Sequence, residues 1–189
     1  MAQQDYQVTV VRSRRRTVGI QIAKPGEVIV RAPVKYPEQE IRKLLEEKRS
    51  WIETHMQKVV QRTREAETLP RITAEEIRRL ADDALKYIPP RTRYWAEKTG
   101  VQYGRITIRC QRTRWGSCTS QGNLNFNCLL MMCPLEVIDY IIVHELCHRK
   151  EMNHSARFWA EVKKVMPEYR QQEKWLRQRG RTILARVER

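Results

Sequence analysis

Three of the four histidines in the chain lie within eleven residues, in the segment HELCHRKEMNH at 144–154. His144 and His148 are four residues apart, so on a helix their imidazoles project from the same face, one turn apart. Two imidazoles in this arrangement can bind one tetrahedral metal ion, typically Zn²⁺. The segment therefore predicts a metal site with one zinc ion, although other divalent metals also suit imidazole ligands.

Glu145 lies next to the first histidine of this segment. A carboxylate in that place stays outside the metal shell but can take a proton from a water molecule at the metal. His154 follows His148 by six residues, so it reaches the same ion only if the helix breaks at residues 152–153. Three protein ligands leave the fourth position open, as in catalytic zinc sites. This pattern predicts three ligands and one catalytic carboxylate: His144, His148 and His154, with Glu145.

Other residues offer alternatives to this ligand set. A carboxylate from a later helix could replace His154, and the candidates are Glu161, Glu168 and Glu173. Cys118 could be a ligand or a reactive thiol, or simply a small apolar side chain in a packed strand. A purely structural metal would leave the placement of Glu145 unexplained.

A second candidate functional segment is RTRWGSC at 112–118. A glycine between an aromatic and a hydroxyl residue lets another backbone approach, as at an edge strand that lies along an extended ligand. The tryptophan could equally lie in the core beside an ordinary bulge. The candidate substrate-binding residues of this segment are Trp115, Gly116 and Ser117. Three arginines could hold a carboxylate or a phosphate, or be solvated: Arg112, Arg114 and Arg157.

The elements that position these residues follow from the apolar pattern of the chain. Short β-branched segments predict three strands near the start: 6–12, 17–22 and 27–32. A long helix after Pro37 should pack on this small sheet. A polar stretch before Pro70 predicts a joint, so we expect an N-terminal part, 1–69, packed on a catalytic part, 70–189.

The catalytic part is predicted to begin with a helix. Thr73 and Glu76 form a capping box, which is typical of a helix start. The two prolines at 89 and 90 should interrupt this helix, because a proline lacks the backbone donor that an α-helix needs. A further helical piece should then end at Gly100.

Strands are predicted next, followed by the helix that carries the histidines. Apolar alternation from Ile106 and turn residues at 120–123 predict a hairpin or a longer looped pair of strands. A mostly buried helix should run from Pro134 to about Lys150. The fold class is therefore predicted as α+β, with helices and a small, mainly antiparallel sheet after the N-terminal β-sheet and long helix.

The composition restricts the class of protein further. Lys and Arg outnumber Asp and Glu by 37 to 22, a net charge of +15, which favours contact with polyanions such as nucleic acid, although a charged surface also serves solubility. Five cysteines without a C-x-x-C pair argue against a disulfide framework. Because no apolar run approaches the roughly 18 residues of a membrane span, we expect a cytoplasmic protein without a membrane partner.

The motifs together resemble a known family. HELCHRKEMNHSARFW, with RWGSC, residues 127–134 and IDYIIVHE, is similar to the YgjP-like family of metallopeptidases, relatives of the SprT-like zincins. The resemblance extends to the front of the chain, through VRSRRRTVGIQI and GEVIVRAP. It implies a zincin-like α+β fold with the zinc ligands and the catalytic carboxylate named above. The glycine of the longer metzincin pattern is absent, because Glu151 occupies its place.

The resemblance leaves three functions to weigh. The first is a zinc-dependent metallopeptidase in which Glu145 activates water, with a peptide or protein as substrate. The second is a nucleoside-triphosphate pyrophosphatase at the same site, since bacterial members of the family have been linked to UTP hydrolysis. The third is a non-catalytic nucleic-acid-binding module in which the metal is structural.

Overall fold

The computed structural model describes residues 6–187, apart from the side chain of Ala66. The chain divides into two compact units, one that ends at Thr68 and one that begins at Leu69. The strands are β1 (Gln7–Ser13), β2 (Gly19–Lys24), β3 (Glu27–Pro33), β4 (Ile106–Arg109), β5 (Gly116–Cys118) and β6 (Leu124–Asn127). The α-helices are α1 (Glu38–Glu47), α2 (Arg49–Thr68), α3 (Ala74–Thr99), α4 (Leu135–Cys147), α5 (Ala156–Val165), α6 (Tyr169–Trp175) and α7 (Arg181–Ala185).

The first unit holds a three-stranded sheet in the order β1-β3-β2. The central strand β3 is parallel to β1 and antiparallel to β2. Its side chains at Val28, Val30 and Ala32 are fully buried, as alternation along a strand with one covered face requires. The three predicted strands are confirmed. The predicted long helix is divided at Lys48 into α1 and α2.

The second unit also holds a three-stranded sheet, in the order β4-β6-β5. The two predicted strands, β4 and β6, are neighbours but parallel, so they form a looped pair and not a hairpin. The predicted turn at 120–123 instead joins β5 to β6, and β5 pairs with the other side of β6. The α+β class is confirmed, and the sheet is mixed rather than mainly antiparallel.

Helix α3 begins as predicted and continues further than predicted. Thr73 Oγ1 accepts from Glu76 N at 3.1 Å, and Thr73 N donates to Glu76 Oε2 at 2.8 Å, so the capping box is confirmed. The expected interruption at the two prolines is wrong, because the helix runs unbroken from Ala74 to Thr99. The carbonyls that the prolines leave without a partner belong to Leu85 and Lys86, both exposed, so water can satisfy them.

Helix α4 lies in the centre of the second unit. Ten of its thirteen residues are buried, which explains why its sequence is apolar on nearly every side. Helix α5 packs beside it through Phe158 and Val162. Near the end of the described residues, Val187 forms a bridge with Ile72. Among residues 6–187, no helix is long and apolar enough to cross a membrane.

Candidate metal centre

The histidine segment forms the end of one helix and the turn to the next. Helix α4 ends at Cys147 with His148 as its cap, and α5 begins at Ala156 after the N-cap Ser155. The predicted break between the second and third histidine is therefore present. Because the chain reverses there, His154, directly before the N-cap, comes back towards the end of α4.

The three imidazoles converge on one point. Their candidate ligand atoms all lie within 4.8 Å of one another. The Nε2 atoms of His144 and His154 are 2.9 Å apart, and the ring of His148 completes the group with centroids 5.0 Å and 4.8 Å from the other two. Among residues 6–187, these histidines are the one cluster of three or more potential ligands.

Two features orient the rings. Phe158 is fully buried below the site, and its ring centroid lies 4.8 Å from His144, 4.5 Å from His148 and 4.8 Å from His154. The Nδ1 of His148 lies 3.1 Å from the carbonyl oxygen of Glu151, which leaves Nε2 to face the cluster. A backbone carbonyl on the second nitrogen is the usual partner of a metal-binding histidine.

The electrostatics of the site favour neutral rings at His144 and His148. Burial, together with the neighbouring charges of His148 and His154, lowers the pKa of His144 to about 3. Burial also lowers the pKa of His148. Since the neutral ring is the form that binds metal, the donor set and its environment fit a divalent cation such as zinc.

The carboxylate of Glu145 lies against strand β5. A Cβ added at Gly116 would lie 2.7 Å from Glu145 Oε1, so only glycine allows the strand to come this close. Burial raises the pKa of Glu145 to about 8, against a lowering by Arg114. A cation held by the imidazoles would lower this pKa again, because opposite charge favours the ionised form.

A cleft of about 260 Å³ opens over the histidines and this carboxylate. It is lined by Gly116, Ser117, Cys118, His144, Glu145, His148, Met152 and His154. Met152 is 47% exposed and is the one large apolar side chain of the lining. Burial raises the pKa of the Cys118 thiol, which favours the neutral form, and its Sγ donates to the carbonyl of Thr119 at 3.4 Å.

The remaining predicted site residues lie outside this lining. Trp115 is half-buried and contacts Gly180, where an added Cβ would lie 3.1 Å from the indole Nε1. This placement agrees with the alternative in which the tryptophan belongs to the core. Arg112, Arg114 and Arg157 are exposed, and of these Arg114 is close enough to influence Glu145.

The alternative third ligands have other partners. Glu161 forms ion pairs with Lys150 and Lys164. Glu168 accepts from the side chain of Gln171 at 2.8 Å, and Glu173 pairs with Arg177 at 3.2 Å. His154 is therefore the third donor that the geometry supports.

The sequence predictions do not include the side chain of Asn127, which binds the segment before β5. It is 1% exposed, and its Nδ2 donates to the carbonyls of Gln111 at 2.6 Å and Arg114 at 2.9 Å. Its Oδ1 accepts from the backbone of Leu129 at 3.1 Å. These bonds hold the loop that connects β4 to β5. A signal was present, since an asparagine in the apolar run LNFNCLL needs buried partners.

Comparison with known proteins places these features in a family. The chain matches the family described as YgjP-like, metallopeptidase domain, over residues 16–80 and 61–179. The chain belongs to the YgjP-like metallopeptidase domain family. Both the histidine cluster and strand β5 lie within the matched residues of this YgjP-like chain, which is a metal-dependent hydrolase.

Two solved structures are similar to part of the YgjP-like chain. The metallopeptidase zymogen of Pyrococcus abyssi abylysin is 23% identical, with a TM-score of 0.44, over 49% of this chain and 94% of that chain. The metallopeptidase zymogen of Methanocaldococcus jannaschii jannalysin is 22% identical, with a TM-score of 0.44, over 49% of this chain and 95% of that chain. No curated protein matches the chain.

Proposed function

We propose that the chain is a zinc-dependent metallopeptidase that cleaves peptides in the cleft between α4 and β5. The observation that carries the proposal is the juxtaposition of three converging imidazoles with a buried carboxylate at an edge strand. In this proposal His144, His148 and His154 hold the ion. When bound, zinc polarises the scissile carbonyl and lowers the pKa of water to roughly 7.

Strand β5 is the proposed docking edge for the substrate. It pairs with β6 on one side and lies at the border of the sheet, so its outer backbone groups can pair with an extended peptide. Such a peptide would pass over Gly116, directly beside the carboxylate of Glu145. Ser117 Oγ accepts from Asn125 Nδ2 at 3.3 Å, a bond that helps to fix the strand.

Glu145 is the proposed proton carrier. Its carboxylate accepts a proton from the attacking water and then passes this proton to the nitrogen of the departing amine. Its carboxylate is confined between α4 and Gly116, so it stays aimed at the cleft during both transfers. In this way the packing of β5 on α4 orients the Glu145 carboxylate towards the substrate.

The other two hypotheses lack a specific observation in their favour. A pyrophosphatase would need cations around the triphosphate, but Arg112, Arg114 and Arg157 lie outside the cleft lining. A nucleic-acid module with a structural metal leaves the position of Glu145 without a purpose. The net charge of +15 is equally suited to a soluble surface, and a cytoplasmic location stays a prediction.

The test is a Glu145→Gln variant, which keeps the shape of the side chain and removes the proton acceptor. We expect metal content equal to that of the wild type and a fall in peptide hydrolysis of about a thousandfold. Glu136→Gln is the matched control, because Glu136 is exposed in the first turn of the same helix.

A peptide library and UTP are incubated in parallel with the metal-loaded wild type and both variants. Cleavage of peptides that disappears in Glu145→Gln alone supports the proposal. Release of pyrophosphate without peptide cleavage would replace it with the nucleotide hypothesis, and peptide turnover unchanged in Glu145→Gln would refute the role of that residue.

A further inference from the structure

Arg149 connects the end of the histidine helix with the turn between β5 and β6. It follows the ligand His148 directly, and its backbone N donates to the carbonyl of Leu146 at 2.9 Å. Its side chain reaches two backbone carbonyls outside α4 and lies close to the Cys118 thiol. Nε donates to the carbonyl of Gln102 at 3.1 Å, and Nη1 donates to the carbonyl of Ser120 at 3.2 Å. One guanidinium thus joins three segments of the second unit.

The turn is shaped to receive this guanidinium. A Cβ added at Gly122 would lie 2.7 Å from both Cζ and Nε of Arg149, so the backbone of the turn lies directly on the guanidinium. Gly122 also has φ +85°, a conformation that favours glycine. The carbonyl of Gly122 accepts from Gly104 N at 2.8 Å, which ties the turn to the segment before β4.

The turn follows a short edge strand. Strand β5 has three residues and lies at the edge of its sheet, where β6 is its one strand neighbour. Short edge strands with one partner open more readily than central strands. One end of β5 is held by Trp115 and Asn127, whereas the other end leads into the turn that Arg149 contacts.

We propose that Arg149 is a positioning residue that fixes β5 at the distance from α4 that an extended peptide substrate requires. The inference rests on the proposed peptidase function and adds a residue to it. Arg149 is not among the residues that line the cleft, and its contacts are with the turn after β5 and with Cys118 at the end of β5, so it acts through β5 and not on the reacting atoms. Its hydrogen bonds carry a full charge on the donor, which makes them stronger than neutral ones.

The first test measures the strand itself and needs no activity. In Arg149→Gln, hydrogen–deuterium exchange of the amides at 116–122 should be at least about tenfold faster than in the wild type. The matched control is Arg93→Gln, an exposed arginine on α3 that should leave this exchange unchanged. Arg149→Lys keeps the charge but cannot donate to both carbonyls with the geometry of a guanidinium. Amide exchange at 116–122 in this variant should therefore be faster than in the wild type and slower than in Arg149→Gln.

The second test separates positioning from a general structural role. In Arg149→Gln we expect KM for peptides to rise about tenfold while kcat changes less than about twofold, because the end of β5 at Cys118 loosens whereas Gly116, which confines Glu145, lies at the end held by Trp115 and Asn127. Bound metal should remain equal to that of the wild type.

The outcomes are distinguishable. Exchange at 116–122 that stays at the wild-type rate overturns the inference whatever the kinetics show. A joint fall of kcat and metal content also overturns it, because Arg149 would then support α4 rather than β5. If the wild type cleaves no peptide, the proposed function fails, and faster exchange in Arg149→Gln would still establish the contact that holds the strand.

Discussion

The two sheets of the chain have the same topology and different surroundings. In each sheet the last strand lies in the centre, parallel to the first strand and antiparallel to the second. The antiparallel edge strands even begin alike, β2 at Gly19 and β5 at Gly116. Yet, among the residues that the structure describes, the second sheet alone borders a cluster of potential metal ligands.

The central strands explain part of this difference. Strand β3 has Arg31 on its exposed face, where Nε donates to the side chain of Gln21 at 3.3 Å. In strand β6 the residue that pairs with the equivalent glycine is the buried Phe126, and the next residue, Asn127, is buried and bonded to the segment that leads into β5. A buried amide fixes a neighbouring segment, whereas an exposed arginine contributes little to its neighbours.

The strand order alone therefore does not make a functional site. The same three-stranded pattern serves in one unit as a support for helices and in the other as the wall of a cleft. The second sheet differs because helix α4 brings His144 and Glu145 to its edge strand. Gly116 of that strand has no side chain, which leaves room for the carboxylate of Glu145. Function therefore follows the residues placed on the fold.

The largest expected effect is on metal affinity, which should depend on the histidines of the second unit and not on the histidine of the first. His154→Ala should lower metal affinity by about a hundredfold to a thousandfold, because one of three ligands is lost. His55→Ala is the control, since the ring of His55 stacks on Trp51 at 4.0 Å in the first unit. Titration with a competing chelator measures both. Equal metal affinity in the two variants would contradict the ligand assignment.

A second prediction uses the two equivalent glycines. Gly116→Ala should lower kcat for peptides about tenfold to a hundredfold, because its Cβ displaces the Glu145 carboxylate. Gly19→Ala should leave kcat unchanged, since a Cβ there would lie 3.4 Å from its nearest neighbour, the end of Arg15. Steady-state kinetics and metal content are measured together. Full activity in Gly116→Ala would show that the contact does not constrain the carboxylate.

A third prediction compares one ion pair from each unit. Arg91 donates to both carboxylate oxygens of Asp139 on α4, each at 2.6 Å, and Asp139 is 8% exposed. Arg91→Gln should lower the free energy of unfolding by about 2 kcal/mol, because Asp139 keeps a buried charge. The exposed pair of Arg12 and Glu38, 3.2 Å apart, should contribute less than about 0.5 kcal/mol. Urea denaturation followed in each unit tests the difference, and equal losses would contradict it.

The smallest prediction concerns the helix starts. Helix α3 has the capping box of Thr73, whereas α1 begins after Pro37 without a side-chain cap. Thr73→Ala should lower the free energy of unfolding of the second unit by about 1 kcal/mol, and Thr73→Ser should retain most of it. Thermal denaturation compares the two variants, and an equal loss in both would mean that the hydroxyl is not responsible.

The parts that could be predicted from the sequence have local causes. The spacing of His144 and His148 follows from the period of a helix, and the break before His154 follows from the need to return to one ion. The capping box of Thr73 and Glu76 is likewise a pattern of four consecutive residues. Local rules predicted these features, and the structure has each of them.

The parts that could not be predicted depend on distant neighbours. The parallel pairing of β4 with β6 is a non-local contact, and the side chain of Asn127 in β6 bonds to the loop that follows β4. The helix continues through Pro89 and Pro90 because tertiary packing of Ile88 and its neighbours outweighs the missing donors. The role of Arg149 depends on three carbonyl and glycine contacts that are distant in sequence.

X-ray absorption spectroscopy at the zinc edge of the metal-loaded protein tests the central claim most directly. The account predicts three imidazole nitrogens at about 2.0 to 2.1 Å, one further light-atom donor and no sulfur. A sulfur donor at about 2.3 Å, which Cys118 would supply, or a shell with fewer than three imidazoles would contradict it.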